Sequence, residues 1–305
     1  MEKFEIYVLG CGSALPTQRH NPSAQLLNVR DKLFLIDCGE GTQLSLRRTR
    51  QKFTRLSHIF ISHLHGDHLF GLIGLISTFA LTGRVAPLFL HAPADLQSLL
   101  QPQLDYFCRD ISFEVRFCPL PTTKEKTVIY EDKSLTVSCF SLIHRVPCWG
   151  FLFEEKGLLP HIRRDMIDFL EIPHYAIQSI KEGAGWTSAD GEFYPHEALV
   201  TPSGQARSYA YCSDTAFHSQ LPAFIHGVDL IYHEATFADE HSQRARETLH
   251  STARQAATIA REAEAKSLLI GHFSSRYDDE TPLLKEAQEV FPQTQLAKEG
   301  LYLQL

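Results

Sequence analysis

Ser62-His63-Leu64-His65-Gly66-Asp67-His68 sets three imidazoles and a carboxylate within six consecutive residues, directly after the apolar Ile59-Phe60-Ile61. Neutral imidazole and carboxylate are the ligands that zinc and similar first-row dications take. In an extended or turning segment, residues two apart point the same way, so His63 and His65 suit one ion. Past Gly66, where the chain can turn sharply, Asp67 and His68 suit a second. The chemistry expected of such a run is two-metal hydrolysis. A histidine-rich surface turn is the plain alternative. Four ligand-competent side chains in this order, at the end of a buried-looking strand, favour the metal.

A two-metal site needs roughly seven protein ligands and a bridging water, so other elements must deliver the rest. Strands are expected at Phe4 to Leu9, Gln25 to Val29, Leu33 to Ile36, Ile59 to Ser62 and Leu88 to His91. More are expected at 112–117, 127–130, 135–140, 150–154, 208–212, 230–232 and 267–270, with a short one at the C-terminus. Helices are expected after Gly41, over Leu69 to Thr82, over Ala94 to Leu100, from Ser251 or Thr252 to Ala265, and near the C-terminus. Strand after strand ends in His or Asp, which is how active sites are built from strand ends. On this basis His144, Asp214 and His272 join the ligand candidates. Asp214, a carboxylate, is the natural bridge between two dications.

The chain has 305 residues, 44% hydrophobic and 21% charged, with a net charge of −7. That balance fits a soluble domain with a large core and excludes a strongly basic nucleic-acid-binding protein as a whole-molecule description. No signal peptide or membrane span is evident. Seven cysteines without a Cys-x-x-Cys pair read as reduced thiols in the cytoplasm. Residues 155–204 break the strand pattern with Gly157, Pro160, Pro173, Gly183, Gly185, Gly191, Pro195, Pro202 and Gly204. They carry one amphipathic piece, Ile162 to Leu170, and the cations Lys156, Arg163, Arg164 and Lys181. This reads as an inserted, protruding arm, and long inserts in compact domains are usually functional or disordered.

At these residues the chain resembles the metallo-β-lactamase superfamily, and within it the ribonuclease Z family of tRNA 3′-processing endonucleases. The resemblance is carried by Gly10-Cys11-Gly12-Ser13-Ala14-Leu15-Pro16, by Asp37-Cys38-Gly39-Glu40-Gly41-Thr42-Gln43, and by the metal run with Gly71-Leu72. His144, Ser213-Asp214-Thr215, His233-Glu234-Ala235-Thr236, His250-Ser251-Thr252 and His272-Phe273-Ser274-Ser275-Arg276-Tyr277 complete it. It covers nearly the whole chain and implies an α/β fold, the four-layer αβ/βα sandwich, as one domain over 1–305 with a tRNA-binding flexible arm at 155–204. It also implies two zinc ions per subunit, a homodimer, and a precursor tRNA as substrate. His63, His65 and His144 are assigned to one metal, Asp67, His68 and His272 to the other, and Asp214 to both. The chain departs from the family where Ile172-Pro173 is followed by His174-Tyr175 rather than Gly-Pro. It departs again at Pro16-Thr17-Gln18-Arg19-His20-Asn21, in a loop associated with sensing the 3′-terminal CCA.

The mechanism expected is attack by an activated water, with Asp67 orienting it and accepting its proton. His250, held by Glu234, is the expected donor to the leaving ribose 3′-oxygen. Lys156, Arg163, Arg164 and Lys181, with Arg276, are the expected RNA contacts. The competing readings are a small-molecule phosphodiesterase or another hydrolase of the same fold, and a non-catalytic RNA-binding homologue.

Overall fold

The computed structural model describes residues 3–157 and 159–305. Two compact units are present, one formed by Glu155–Ala206 and the other by the chain on either side of it. In the larger unit, one seven-stranded sheet runs Tyr302–Gln304, Phe4–Gly10, Ala24–Val29, Lys32–Ile36, His58–Phe60, Leu88–Ala92 and Val115–Pro119. The other runs Thr294–Leu296, Ser267–Gly271, Leu230–Glu234, Ser208–Cys212, Cys148–Glu155, Leu135–Leu142 and Thr127–Glu131.

Strand periodicity decides which face meets which layer. Phe4, Ile6, Val8, Phe34, Ile36 and Phe60 point inward and pack with Val137, Phe151, Phe153, Tyr209 and Ile231 of the second sheet. Phe34 meets Phe153 with ring centroids 5.9 Å apart, and Phe60 meets Phe151 at 5.4 Å. The alternate residues Leu26, Leu35, Ile59 and Ile61 bury against helices Leu72–Leu81 and Leu96–Phe107. Helices Ala253–Glu262 and Thr281–Gln288 cover the second sheet through Ala253, Ala256, Ala257, Ala260 and Leu283. Helix, sheet, sheet, helix is the four-layer sandwich expected from the sequence.

Two helices differ from the sequence expectation. The helix expected over Leu69 to Thr82 is two helices, Gly66–Leu69 and Leu72–Leu81. The break lies at Phe70-Gly71, where the Gly71 amide donates to Cys38 O at 2.8 Å. A β-carbon at Gly71 would sit 2.2 Å from Gly39 O, so the close approach of the Asp37–Gly41 loop requires glycine. The helix expected to stop at Leu100 continues to Phe107 through Pro102, because Leu96, Leu100 and Leu104 extend one buried stripe.

Residues 155–206 hold more structure than their breakers indicate. Helices Arg164–Phe169, His174–Lys181 and His196–Leu199 accompany two small strand pairs. They share a core of Leu170, Ile172, Ala176, Ile180, Leu199 and Val200. Among the described residues, no helix is long and apolar enough to cross a membrane. The seven cysteines are free thiols.

His58 and His91 form a pair away from the metal run. His58 Nδ1 lies 3.0 Å from His91 Nε2, among Phe60, Phe89 and Tyr130. Burial lowers His58 to about 4, against a partial opposing pull from Asp132, and lowers His91 to about 3, with His58 adding to the effect. Both folded values lie below the ordinary 6.5. The neutral pair therefore supports the fold fully above that value, and its contribution is lost as pH falls below it. Thermal melts should show a midpoint that drops between about pH 7 and about pH 5, and a smaller drop in the His58→Phe, His91→Leu double variant. An unchanged drop in that variant would place the acid sensitivity elsewhere.

Candidate active site

Each ligand candidate sits where a strand ends. The strand His58–Phe60 runs into His63 and His65, and helix Gly66–Leu69 follows with Asp67 and His68. His144 lies two residues past Leu135–Leu142, and Asp214 two residues past Ser208–Cys212. His272 directly follows Ser267–Gly271 and turns the chain with a φ of 59°.

The structure gathers these seven side chains into two adjoining groups. In one, His65 Nδ1 lies 3.0 Å from His63 Nε2 and 3.2 Å from His144 Nε2. Asp214 Oδ2 is 3.6 Å from His63 Nε2 and 3.7 Å from His144 Nε2. In the other, Asp67 Oδ2 is 3.6 Å from His68 Nε2 and 3.5 Å from His272 Nε2. Asp214 Oδ1 is 3.4 Å from His68 Nε2 and 3.1 Å from His272 Nε2. The two oxygens of Asp214 thus face different groups. Ligands about 2.0 Å from a tetrahedral ion stand about 3.3 Å apart, so these spacings suit a dication in each group.

The donor set fits a metal by a second criterion. His68 Nε2, His272 Nε2 and Asp214 Oδ1 are buried without a hydrogen-bond partner. Three orphaned polar atoms converging on one point are costly unless a cation satisfies them. The opposite ring nitrogens of His63, His68, His144 and His272 are engaged. His68 Nδ1 donates to Asp37 Oδ2 at 2.8 Å, and His144 Nδ1 to Leu249 O at 3.0 Å. Ser62 donates to Asp37, so its Oγ accepts from His63 Nδ1 at 3.0 Å. His272 Nδ1 meets Thr236 Oγ1 at 3.0 Å, and Thr236 donates onward to Glu234. These outer bonds fix the tautomers and leave the inner nitrogens bare. Burial lowers His63, His65 and His144, which keeps the imidazoles neutral. Burial alone would raise Asp67, but His68 and His272 hold its carboxyl well below the usual range.

His250 and Glu234 form a separate dyad at the edge of the second group. Thr252 caps helix Ala253–Glu262 with a reciprocal Gln255 bond, so the cap role falls to Thr252 and His250 remains free of it. His250 Nδ1 lies 2.9 Å from Glu234 Oε1, and the two rings of His250 and His272 are 5.5 Å apart. Glu234 is fully buried and takes further bonds from Thr215 N, Thr236 N and Thr236 Oγ1. Burial pulls His250 down, but the Glu234 carboxylate, helped by Asp214 and Asp67, outweighs it and raises the imidazole to about 9.

Five of the seven candidate ligands, His65, Asp67, His144, Asp214 and His272, line a cavity of about 530 Å³. Its lining adds residues that the sequence reading did not assign: Leu15, Phe70, Arg145 and Arg244. Asp37 and Thr236 were also unassigned, although Asp37 ends a strand as the ligands do. The expected RNA contacts are distributed differently. Arg276 lies 4.8 Å above the Phe237 ring, which neighbours His250. Lys156, Arg163, Arg164 and Lys181 belong to the 155–206 unit. Arg164 is exposed, whereas Arg163 pairs with Asp165 at 2.6 Å and donates to Ala198 O.

Comparison with known proteins decides the family. Ribonuclease Z of Phocaeicola vulgatus is 56% identical over 305 residues, covering 100% of this chain and 98% of the relative. Ribonuclease Z of Porphyromonas gingivalis is 48% identical over 100% of both. The chain belongs to the ribonuclease Z family. A family model described as anti-Pycsar protein Apyc1 matches residues 4–161. Among solved structures, human tRNase Z, short form, superposes with a TM-score of 0.71 at 25% identity over 98% of each chain. The metallo-β-lactamase fold protein YhfI of Bacillus subtilis superposes with a TM-score of 0.70 at 19% identity over both chains in full, a likeness of fold alone.

Because orphaned ligand atoms meet at the centre, metal loading should stabilise the fold by mass action. Chelation should lower the melting midpoint by about 5 °C or more, and added zinc should restore it. Asp214→Asn, which weakens both groups, should blunt that response. A midpoint indifferent to chelator and zinc would contradict the reading of the seven residues as ligands.

Proposed function

We propose that the protein is a zinc-dependent endoribonuclease that removes the 3′ trailer from precursor tRNA and leaves a 3′-hydroxyl on the tRNA. The observation that carries this reading is the Glu234–His250 dyad set beside two ligand groups that share Asp214. The relatives' printed names agree with it. His63, His65 and His144 would hold one zinc, Asp67, His68 and His272 the other, with Asp214 on both. Bound there, two dications supply an acidified water and positive charge facing the phosphate.

The chain's own residues do the rest. Asp67 Oδ2 accepts the Ala14 amide at 2.8 Å, which fixes the carboxylate as it orients the attacking water and takes its proton. His250 donates to the departing ribose 3′-oxygen, and Glu234 holds the ring in place and favours its charged form. Arg276 on Phe237 extends positive charge from that side.

In the 155–206 unit, Lys156, Arg163, Arg164 and Lys181 are the proposed tRNA contacts, with Arg163 also bracing its own helix start through Asp165. Phe169 and Tyr175, 71% and 83% exposed, are aromatic surfaces available to RNA in a unit without the Gly-Pro motif. A homodimer belongs to this reading, supported by the exposed apolar Leu44, Leu81 and Val85 of the larger unit. So does a cytoplasmic location, supported by seven free cysteines.

The test is the purified zinc-loaded protein on a precursor tRNA with a 3′ trailer. Cleavage should yield a tRNA 3′-hydroxyl, stop with chelator, and return with zinc. His250→Ala should lower kcat by about 100-fold or more while zinc content stays at the wild-type level. Loss of zinc together with turnover would make His250 structural, and an intact, zinc-loaded protein inert on the precursor would refute the function.

A further inference from the structure

The lining of the cavity divides by chemistry. On the His250 side stand the cations Arg145 and Arg244, both exposed. On the Asp67 side stand the apolar Leu15 and Phe70, 61% and 67% exposed. The Phe70 ring therefore stands open to solvent at the mouth of a polar site.

Phe70 is nevertheless held in place. It ends the short helix Gly66–Leu69, and its amide donates to Gly66 O at 2.8 Å. The ring lies against Gly66, where a β-carbon would come within 2.3 Å of it. Glycine in the metal run therefore lets an edge of the ring approach the run's backbone, at the cavity that Asp67 also lines. Among the described residues no ring stacks on Phe70 and no cation lies over it, and the residue is 67% exposed. An exposed ring with nothing stacked on it, next to a phosphodiester site, is a platform for a nucleobase. Every base has a π-face, and each stacked base contributes about 1–3 kcal/mol.

The mechanism says which base. An in-line displacement sets the attacking and leaving oxygens on opposite sides of phosphorus. Asp67 marks the attacking side and His250 the leaving side, where the tRNA's own 3′-oxygen departs. The trailer is joined through an equatorial 5′-oxygen, so it leaves the phosphate to the side of the in-line axis; with the tRNA end held at His250, the trailer is the strand free to reach the Asp67 side. We infer that Phe70 is a specificity-determining residue that stacks the first nucleobase of the 3′ trailer and so seats the scissile phosphate over the two ligand groups. Trailer selection by stacking tolerates any base at that position, and Arg145 and Arg244 remain to follow the phosphates of the tRNA end. The inference rests on the proposed tRNA 3′-processing function.

The test compares an intact precursor tRNA with one carrying an abasic ribose at the first trailer nucleotide, on zinc-loaded wild type, Phe70→Leu and Phe70→Trp. Removing the base should lower wild-type kcat/KM roughly 5- to 100-fold. In Phe70→Leu the two precursors should be cleaved at nearly equal rates, both near the wild-type rate on the abasic one. Phe70→Trp should restore the discrimination. Elemental analysis should find unchanged zinc in each variant. Equal discrimination in wild type and Phe70→Leu would overturn the inference, as would a wild type indifferent to the missing base. Both results leave the cleavage of precursor tRNA standing. Only failure of wild type on the intact precursor would remove the function as well.

Discussion

Asp37 is completely buried where the two sheets meet, and a carboxylate there must be met by donors or the fold loses several kcal/mol. Four donors arrive: Ser62 N at 2.7 Å, Ser62 Oγ at 2.9 Å, His68 Nδ1 at 2.8 Å and Tyr211 Oη at 2.8 Å. They come from the metal run and from a central strand of the second sheet. Asp37 itself ends the strand Lys32–Ile36 of the first, with a φ of 55°. One side chain therefore sets the register between both sheets and the ligand loop. Tyr211 is positioned for this by stacking on Tyr232, with ring centroids 4.9 Å apart and planes within 3°.

The consequences spread outward through hydrogen bonds. With its Nδ1 donated to Asp37, His68 presents a bare Nε2 to the centre. Ser62, oriented by the same carboxylate, accepts from His63 and meets Ser213 Oγ at 2.9 Å, next to Asp214. On the far side Glu234 plays the corresponding part, holding Thr236 and thereby His272, and holding His250. Asp37, Asp67, Asp214 and Glu234 bring four carboxylates to one largely buried region. Their mutual repulsion is offset in part by the surrounding imidazoles, His68 and His272 beside Asp67 and Asp214, and His250 beside Glu234.

Much of this was legible from residue type and position. The run His63 to His68 stood out as a candidate metal site because four ligand-competent side chains fall in one short turn, and the structure brings them together. His144, Asp214 and His272 followed because each comes after a strand, and His250 with Glu234 followed from the family resemblance, their contact being shown only by the fold. Other features depend on contacts between distant segments, which local pattern does not carry. The helix break at Phe70-Gly71 is imposed by the backbone of Gly39, more than thirty residues earlier. Helix His174–Lys181 was hidden among breakers, and only its burial of Ala176 and Ile180 in a local core explains it. Asp37 looked like one acid in a glycine-rich turn until its four donors were in place. Arg163 looked like a free cation, yet its neighbour two residues on takes it up.

The central claim is that Asp37, though not a ligand, sets the geometry of the metal centre. Its most direct test is the zinc affinity of Asp37→Asn, measured by chelator competition on folded protein. Loss of the buried acceptor should weaken zinc binding by about 10- to 100-fold, with the secondary structure retained. Wild-type affinity in that variant would contradict the claim and place the organisation of the centre in the ligands alone.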